Sequence, residues 1–353
     1  MPRLCIFSSK AVSLTNVAKD IASVARTIGL DVKIFSYILP SFEAISVCDY
    51  VMYIMTVSPV WATHWILNAR DVYRRGQGRP ALFYATVEGE IKRQLVHRWM
   101  LSCVPYIANS EYTKTKMENV GFRVTDVVYH GINMETVERA RKLVPAMRKS
   151  IESKLGSGVI FGAILSDHPR KGMDSLLEAF KKVREKNKEA KLYILTPVTS
   201  RSLDGVYIDS RYGEFTREEI LALIGSFDFL VIPSYCEGFG LPLIEANAMG
   251  VPVIHCNYPP LSEITCNANI KFDYIDIEFV DLQEGILYEY HVYRVEDLAD
   301  SMLTAIDLVK NWKEAYEDAR AIAIENAKRF NAVNVYKKLL SILTNRWQHH
   351  DIV

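Results

Sequence analysis

Short apolar runs of strand length alternate with amphipathic stretches of helical spacing along most of the chain. Residues 4–7 and 32–35 are apolar runs, and residues 15–28 between them place Val17, Ile21 and Val24 on one side of a helix. Gly29 follows the last apolar position, where helices commonly end. This order predicts a strand, a helix and a parallel strand, which is the expected beginning of a doubly wound sheet.

The same alternation continues to the C-terminus. Further buried strands are predicted at residues 51–57, 81–87, 104–108, 124–129, 159–165, 192–195, 206–208 and 229–232, and helices at residues 175–186, 295–309, 312–330 and 331–344. A charged stretch, residues 134–157, contains Pro145 and Gly156 and predicts a helix followed by an interdomain connection. The chain of 353 residues is long enough for two cores. We therefore predict an α/β protein with two Rossmann-like domains, residues 1–150 and 151–330.

The stretch from residue 232 to residue 254 reads I-P-S-Y-C-E-G-F-G-L-P-L-I-E-A-N-A-M-G-V-P-V-I. A buried strand, a glycine-bearing loop and a helix at residues 242–249 are predicted in this order. Pro242 falls in the first turn of that helix, where its missing N–H costs no hydrogen bond. Gly250 ends the helix, and residues 251–254 predict the next strand.

A strand, a glycine loop and a helix in this order direct free backbone N–H groups and the positive end of a helix dipole at one point, which suits a phosphate. Gly238 and Gly240 allow close approach of a ligand to the backbone. Glu237 and Glu245 repel a phosphate but accept hydrogen bonds from hydroxyls, so a nucleotide-sugar fits the pattern. The alternative, an ordinary loop with two solvated glutamates, stays open on spacing alone.

Residues 233–254 resemble the signature of retaining nucleotide-sugar glycosyltransferases of the GT-B fold, above all glycosyltransferase family 4. The pattern of that family is P-S-x-x-E-G-F-G-L-P-x-x-E-A-x-A-x-G-x-P-V-I, and this chain carries it almost letter for letter. The resemblance implies two domains that face each other across a cleft, with residues 331–353 forming a C-terminal helix that packs back on the first domain. Residues 1–150 would lie on the acceptor side, and residues 151–330 would bind the nucleotide-sugar.

The resemblance also implies roles for the residues of the motif. Glu237 would bind hydroxyls of the donor sugar, and Glu245 would hold the ribose. The loop formed by Gly238, Phe239, Gly240 and Leu241 would contact the sugar and the diphosphate.

Residues 169–172, P-R-K-G, resemble the P-x-K-G turn of the same family. Its lysine grips the donor diphosphate, so Lys171 is predicted to stabilise the leaving group, with Arg170 beside it. The alternative is that both are solvated surface charges. The family usually has an arginine at the end of the preceding strand, but Ser166 occupies that place here.

The resemblance covers the first half of the chain only in outline. Glu88 occupies the place of a histidine that many family members have near the reacting sugar, so it is a candidate to orient the acceptor or to stabilise positive charge on the sugar ring. The alternative is an acidic residue that simply begins a helix. The glycine pair usual after the first strand is replaced by Ser8, Ser9 and Lys10.

Charge is distributed unevenly. Residues 1–150 contain 20 basic and 12 acidic residues, and residues 151–353 contain 22 and 30, so the two halves carry net charges of +8 and −8. The basic half indicates an anionic partner, such as a membrane surface or phosphates, unless the two domains simply attract each other. The candidate membrane-contacting residues are Arg70, Arg74, Arg75, Arg79, Lys92, Arg93 and Arg98. No nucleic-acid partner is indicated.

The six cysteines show no CxxC pair and no metal-ligand spacing, so a reduced, intracellular chain is predicted rather than a disulfide framework. Met1-Pro2-Arg3 leads directly into a strand, without a signal peptide, and the most apolar window, residues 51–67, is interrupted by polar residues. A cytoplasmic protein, at most peripheral on a membrane, is therefore predicted.

The reaction implied by the resemblance is retaining, metal-independent transfer of a sugar from a nucleoside-diphosphate-sugar to an acceptor hydroxyl of a saccharide, lipid or protein glycan, as in a hexosyltransferase. No cofactor is implied beyond the nucleotide-sugar as co-substrate. The nearest approach to an acidic metal motif, residues 273–278, is predicted to be a loop. Two alternatives remain, namely a nucleotide-sugar epimerase of the same fold and a non-catalytic sugar-nucleotide-binding or scaffold protein descended from such an enzyme.

Overall fold

The computed structural model describes residues 1–36, 46–75, 80–198 and 203–345. They form two units. The first comprises Met1–Asn133, Phe279–Glu289 and the chain from Phe330 onward, and the second comprises Met134–Glu278 and Tyr290–Arg329.

The elements up to residue 133 are β1 Arg3–Ser8, α1 Val12–Thr27, β2 Asp31–Ser36, β3 Tyr50–Thr56, α2 Pro59–Arg75, β4 Ala81–Thr86, β5 Gly89–Ile91, β6 Tyr106–Ala108, α3 Glu111–Asn119 and β7 Val124–Val127. The elements that follow are α4 Met134–Arg141, α5 Val144–Leu155, β8 Ile160–Ile164, α6 Met173–Lys186, β9 Lys191–Leu195, β10 Val206–Asp209, α7 Arg217–Gly225, β11 Phe229–Ile232, α8 Leu241–Ala248, β12 Val253–Cys256, α9 Leu261–Ile264, β13 Ile270–Phe272, β14 Asp276–Val280, β15 Ile286–Val292, α10 Val295–Asn311, α11 Lys313–Lys328 and α12 Ala332–Asn345.

The first unit is built on a parallel sheet with the strand order β2-β1-β3-β4-β6-β7. Its central strands are apolar on both faces, and β4 is buried along its whole length. This is typical of a parallel sheet that is covered by helices on both sides. Helix α1 buries one stripe, on which Val17, Ile21 and Val24 lie as predicted.

The second unit has a parallel sheet with the strand order β10-β9-β8-β11-β12-β13. Strands β8 and β11 are neighbours in this sheet, and the chain proceeds outward from them in opposite directions. The crevice at the carboxyl ends of such a central pair is where open α/β sheets commonly bind ligands. The prediction of two parallel-sheet α/β domains is confirmed.

The C-terminal helix α12 belongs to the first unit, as predicted. Its Tyr336 hydroxyl accepts a hydrogen bond of 2.8 Å from the backbone N–H of Gly131. Lys338 of the same helix forms an ion pair of 2.9 Å with Asp126. Tyr336 is fully buried, so its phenol fixes the helix against the loop that follows β7.

The division of the chain differs from the boundary placed at residue 150. The helices α4 and α5 belong to the second unit, and Phe279–Glu289 belongs to the first. In that segment Ile286–Tyr288 pairs antiparallel with β5. Gly89 of β5 is required for this pairing, because a Cβ there would lie 2.1 Å from the carbonyl oxygen of Leu287.

The prediction of a loop at residues 273–278 is wrong for the second half of this stretch, because β14 begins at Asp276. The alternation of acidic and apolar residues from Asp276 to Val280 has the period of a strand. In the part of the chain that is described, no group of three His, Cys, Asp or Glu side chains is arranged to hold a metal ion. No helix among the described residues is both long and apolar enough to cross a membrane.

A disulfide joins Cys5 and Cys48. The prediction of a reduced chain is therefore wrong for these two residues. Cys5 lies in β1, and β1 pairs with β3 so that Leu4 is opposite Tyr50. Cys48 comes just before β3 in the chain, so this pairing places it beside Cys5. Sequence spacing did not reveal this contact, because the two cysteines are separated by 43 residues.

We expect the Cys5→Ala/Cys48→Ala variant to unfold at a lower temperature than the wild type. A crosslink that closes a loop of this length removes chain entropy from the unfolded state and contributes about 4 kcal/mol. Thermal unfolding with and without reductant measures the effect. Reductant should destabilise the wild type and Cys103→Ala, which removes a free cysteine, but should leave the double variant unchanged. A wild type that is insensitive to reductant would contradict the assignment.

Candidate functional site

The site of the second unit begins at the carboxyl ends of β8 and β11. A cavity at this place is lined by residues from both strands and from the loops that follow them, among them Leu165, Lys171, Glu237 and Pro242. Two segments that are more than 60 residues apart in sequence therefore meet where the strand order reverses.

The glycine loop and the helix after β11 have the local structure that the sequence predicts. Helix α8 begins at Leu241, with Pro242 in its first turn. Gly240 precedes it with a φ of 94°, and a Cβ there would lie 2.3 Å from the Leu261 side chain. Gly250, with a φ of 75°, follows the end of the helix. Gly240 is the N-cap residue of α8 and has no side chain. It therefore provides no side-chain acceptor for the first N–H groups of the helix.

The P-R-K-G turn packs directly against the loop that follows β11. Pro169–Lys171 forms a 3₁₀ turn. Gly172 follows it with a φ of 64°, and a Cβ there would lie 2.2 Å from the carbonyl oxygen of Pro233. The backbone N–H of Tyr235 donates a hydrogen bond of 2.8 Å to the carbonyl oxygen of Arg170. These contacts place the basic side chains of the turn beside Glu237.

Lys171, Arg170 and Glu237 form a buried charge cluster. The Lys171 ammonium lies 2.6 Å from Glu237 Oε1, and an Arg170 guanidinium nitrogen lies 3.4 Å from Glu237 Oε2. The same nitrogen donates to the Cys236 carbonyl oxygen at 3.1 Å. The three side chains are 14%, 12% and 7% exposed, so they are not solvated surface charges.

Two opposing effects act on the Glu237 carboxyl. Burial alone would raise its pKa, but the charges of Lys171 and Arg170 outweigh burial and lower the pKa to about 2. Glu237 is therefore a carboxylate at any pH near neutrality, and it can accept hydrogen bonds but not donate them.

Aromatic side chains hold the backbone of this loop. The hydroxyl of Tyr293 donates to the carbonyl oxygen of Pro233 at 2.5 Å, and that of Tyr258 donates to the carbonyl oxygen of Ser234 at 2.7 Å. The backbone N–H of His291 donates to the carbonyl oxygen of Tyr235, and its ring stacks on Tyr258 at 4.3 Å. The sequence does not reveal these tyrosines as part of the site, since nothing in their spacing connects them to the loop.

Glu245 lies in α8 with 7% of its side chain exposed, and its Oε1 is 2.6 Å from a guanidinium nitrogen of Arg217. Arg217 is the first residue of α7. That helix begins with a capping box, since the Thr216 hydroxyl accepts from the Glu219 N–H and the Glu219 carboxylate accepts from the Thr216 N–H. Arg217 was not among the predicted site residues. Its position in the first turn of a helix, where a cation is unfavourable, is a signal in the sequence that could have identified it.

Tyr212, in the loop before α7, was also missed. Burial raises the pKa of its hydroxyl, and the charges of Arg170, Glu237 and Glu245 act on it. The phenol therefore lies within the electrostatic range of both the Glu237 cluster and Glu245.

The remaining predicted residues lie in different places. Phe239 and Leu241 are buried, at 4% and 8% exposure, in the wall of the glycine loop, and Gly238 lies in the same loop. Glu88 is half-buried and lies between β4 and β5 in the first unit. It begins no helix, so the alternative of a helix-starting residue is excluded. The Glu237 cluster of the second unit does not include it.

The first unit has a buried polar cluster at the carboxyl ends of β4, β6 and β7. The Asn109 amide donates to the Thr86 hydroxyl at 2.9 Å and lies 3.3 Å from His130 Nε2. The His130 ring also packs edge-on against Tyr84. Burial lowers the pKa of His130 to about 3, so the ring is neutral at physiological pH.

We expect this burial to make stability depend on pH. In the unfolded chain His130 takes up a proton near pH 6.5, but in the folded protein it does so only near pH 3, so stability is complete above pH 6.5 and falls as the pH drops below it. At pH 5 the loss is about 2 kcal/mol. Denaturant unfolding at pH 7.5 and pH 5 should show a smaller loss for His130→Gln than for the wild type. His97→Gln, a change at an exposed position, should behave as the wild type, and an equal loss in all three proteins would contradict the prediction.

The sequence of this site matches a known family. Residues 157–306, which include every predicted residue of the second unit, match the family model described as Glycosyl transferases group 1. This stretch is similar in sequence to a glycosyl transferases group 1 domain. The Rossmann-like sheet and the Glu237 loop that were described above lie within it.

Relatives and solved structures agree with this assignment. An uncharacterized glycosyltransferase of Sulfolobus islandicus rod-shaped virus 1 is 28% identical over 350 residues, which are 96% of this chain and 99% of that protein. Among solved structures, the Anabaena protein HepE in complex with UDP-glucose matches 98% of this chain and 100% of its own, with 13% identity and a TM-score of 0.69.

Sucrose-phosphate synthase from Thermosynechococcus elongatus has a TM-score of 0.71 at 13% identity and covers 99% of this chain and 100% of its own. Such low identities show the fold alone, and that fold is GT-B. Together with the family match they support a glycosyltransferase, and they give no support to the epimerase alternative.

Proposed function

We propose that this protein is a retaining glycosyltransferase that moves a hexose from a nucleoside-diphosphate-sugar to an acceptor hydroxyl without a metal ion. The observation that carries the proposal is the buried cluster of Lys171, Arg170 and Glu237 beside the N-terminus of α8. It places two cations and one carboxylate that is ionised near neutrality beside the backbone N–H groups at the beginning of α8.

Each member of the cluster has a different task. Lys171 and Arg170 neutralise the diphosphate as negative charge develops on it, and the N–H groups of α8 and of the Phe239–Gly240 loop bind its oxygens. Glu237 accepts hydrogen bonds from hydroxyls of the sugar. Arg170 lies where it can take over the role of the arginine that Ser166 replaces, because it reaches the Cys236 carbonyl of the glycine loop.

The proposed reaction is a front-face displacement. The acceptor oxygen bonds to the anomeric carbon on the face that the diphosphate leaves, the bond between that carbon and the diphosphate oxygen breaks, and the acceptor proton passes to a diphosphate oxygen. An oxocarbenium-like state is stabilised in between. We assign Glu88 the task of orienting the acceptor. The support for a nucleoside-diphosphate-sugar donor comes from the site chemistry and from HepE, which was solved with UDP-glucose.

The acceptor is proposed to be a saccharide, a lipid or a protein glycan, and a peripheral contact with an anionic membrane would serve a lipid acceptor. Arg93 and Arg98 are exposed, whereas Lys92 is paired with Asp281. Arg79 and the side chains of Arg74 and Arg75 lie outside the described residues. Sedimentation with anionic vesicles at low salt tests the contact, and no binding would end this part of the proposal. The cytoplasmic location stays a prediction.

The test of the donor site is a calorimetry panel of nucleoside diphosphates and their sugars on the wild type and on Glu245→Ala. We expect one donor to bind the wild type and to bind the variant at least about tenfold more weakly, since a hydrogen bond to a charged group contributes about 1.5–3 kcal/mol. A chelator should leave both binding and turnover unchanged. If nothing in the panel binds, the alternative of a non-catalytic scaffold protein is favoured. Binding of a donor that is only hydrolysed by water, with no transfer to an acceptor, would favour a sugar-nucleotide-binding protein that is not a transferase.

A further inference from the structure

Arg217 is placed where a cation is electrostatically unfavourable. It is the first residue of α7, and the positive end of a helix dipole disfavours a positive charge in the first turn by about 0.3–1 kcal/mol. Its guanidinium pairs with Glu245 at 2.6 Å, and the two side chains are only 18% and 7% exposed. Buried ion pairs of this kind often add little to stability, because desolvation offsets the attraction. A role in ligand binding accounts for the pair better.

The pair supplies what a ribose diol needs. Each hydroxyl has a proton to donate and oxygen lone pairs that accept, whereas an ionised Glu245 can only accept. The planar guanidinium of Arg217 provides donors at a fixed angle beside it.

We propose that Arg217 belongs to the donor site, where it holds the Glu245 carboxylate toward the ribose and donates a hydrogen bond to a ribose hydroxyl oxygen, so that the site selects ribonucleoside over 2′-deoxyribonucleoside diphosphates. This inference rests on the proposed function and deepens it. The selectivity follows because a nucleotide that lacks the 2′-hydroxyl forms fewer hydrogen bonds with the buried Arg217 and Glu245 groups.

Calorimetry with UDP, GDP and their 2′-deoxy counterparts tests this assignment on the wild type, Arg217→Met and Arg217→Lys. The wild type should prefer the ribonucleotide by about tenfold or more. Arg217→Met should lower the affinity for the ribonucleotide by a similar factor while it changes that for the deoxynucleotide by less than about threefold, so its selectivity nearly disappears. Arg217→Lys keeps the charge and should recover part of the selectivity.

A matched control is the ion pair at the neighbouring position of α7, which an arginine of α4 forms. Arg139 pairs at 2.9 Å with Glu218, the next residue of α7, but this pair is exposed. Arg139→Met should leave the affinities for all four nucleotides unchanged. Thermal unfolding of each variant shows whether it is folded. If Arg217→Met does not fold, the selectivity of Arg217→Lys for ribonucleotides over 2′-deoxynucleotides is compared with that of the wild type instead.

The possible results separate the two proposals. If Arg217→Met loses the same affinity for the ribonucleotides and for the 2′-deoxynucleotides, Arg217 only supports the structure. This result would overturn the inference, while the proposed donor site would stand. A wild type that binds a nucleotide but does not distinguish ribose from deoxyribose would overturn it as well. If the wild type binds none of the four nucleotides and no other nucleoside diphosphate of the wider panel, the proposed donor site fails together with the inference.

Discussion

Replacing Lys171 with methionine is expected to lower the rate of sugar transfer by about 10²–10³, with a much smaller change in the KM for the donor. A preorganised charge at a developing anion contributes this much to many reactions. Lys171 is suited to this role because its ammonium is already fixed at 2.6 Å from Glu237 and is largely shielded from water. Release of the nucleoside diphosphate at saturating donor, with acceptor or with water, measures the rate.

Two further variants separate catalysis from folding. Loss of Lys171 leaves the buried Glu237 with only Arg170 as a counter-charge, and this is expected to destabilise the second unit. Glu237→Gln combined with Lys171→Met removes that penalty, so the double variant should regain thermal stability without regaining activity. Lys182→Met, which removes an exposed pair with Glu296, should behave as the wild type. A folded Lys171→Met protein whose rate lies within threefold of the wild type would refute the assignment.

Replacing Gly240 with alanine is expected to weaken nucleotide binding by about tenfold or more and to lower the unfolding temperature. The backbone at Gly240 has a φ of 94°, which an L-residue adopts at a cost of about 1–3 kcal/mol. In addition, the new Cβ would lie 2.3 Å from the buried Leu261 side chain, so either this side chain or the N-terminus of α8 must shift. Because that N-terminus is the proposed diphosphate site, affinity and stability should fall together.

Gly213→Ala is the matched control for this change. Gly213 has a φ of 87°, but a Cβ there would have no atom within 4 Å. Gly213→Ala therefore has the conformational cost of a positive φ but no steric collision of the new Cβ. Calorimetry and thermal unfolding of both variants should show a larger loss for Gly240→Ala, and equal losses would mean that the collision with Leu261 has no consequence.

Most of the local structure could be predicted from the sequence. The strand before Pro233, the left-handed glycine before α8, the proline in its first turn and the end of the helix before Gly250 all depend on neighbours in the chain. The capping box at Thr216 is local in the same way. Alternating apolar runs also identified two parallel-sheet domains, because each buried strand requires a continuous apolar run whatever its neighbours are.

Contacts between distant segments could not be predicted in this way. Arg217 and Glu245 meet only because α7 and α8 pack together, and Cys48 reaches Cys5 only because β3 pairs with β1. The segment Phe279–Glu289 belongs to the first unit although its neighbours in sequence belong to the second.

The sequence by itself therefore determined the elements of this protein, its two domains and the chemical groups of its glycine loop, because propensity, capping and turn geometry are properties of short segments. Only the tertiary structure decided which charges are paired. Lys171 lowers the pKa of Glu237 because Gly172 packs against the Pro233 carbonyl and brings the two segments into contact. Burial and ion pairing depend on such distances, and distances between remote segments exist only in the folded chain.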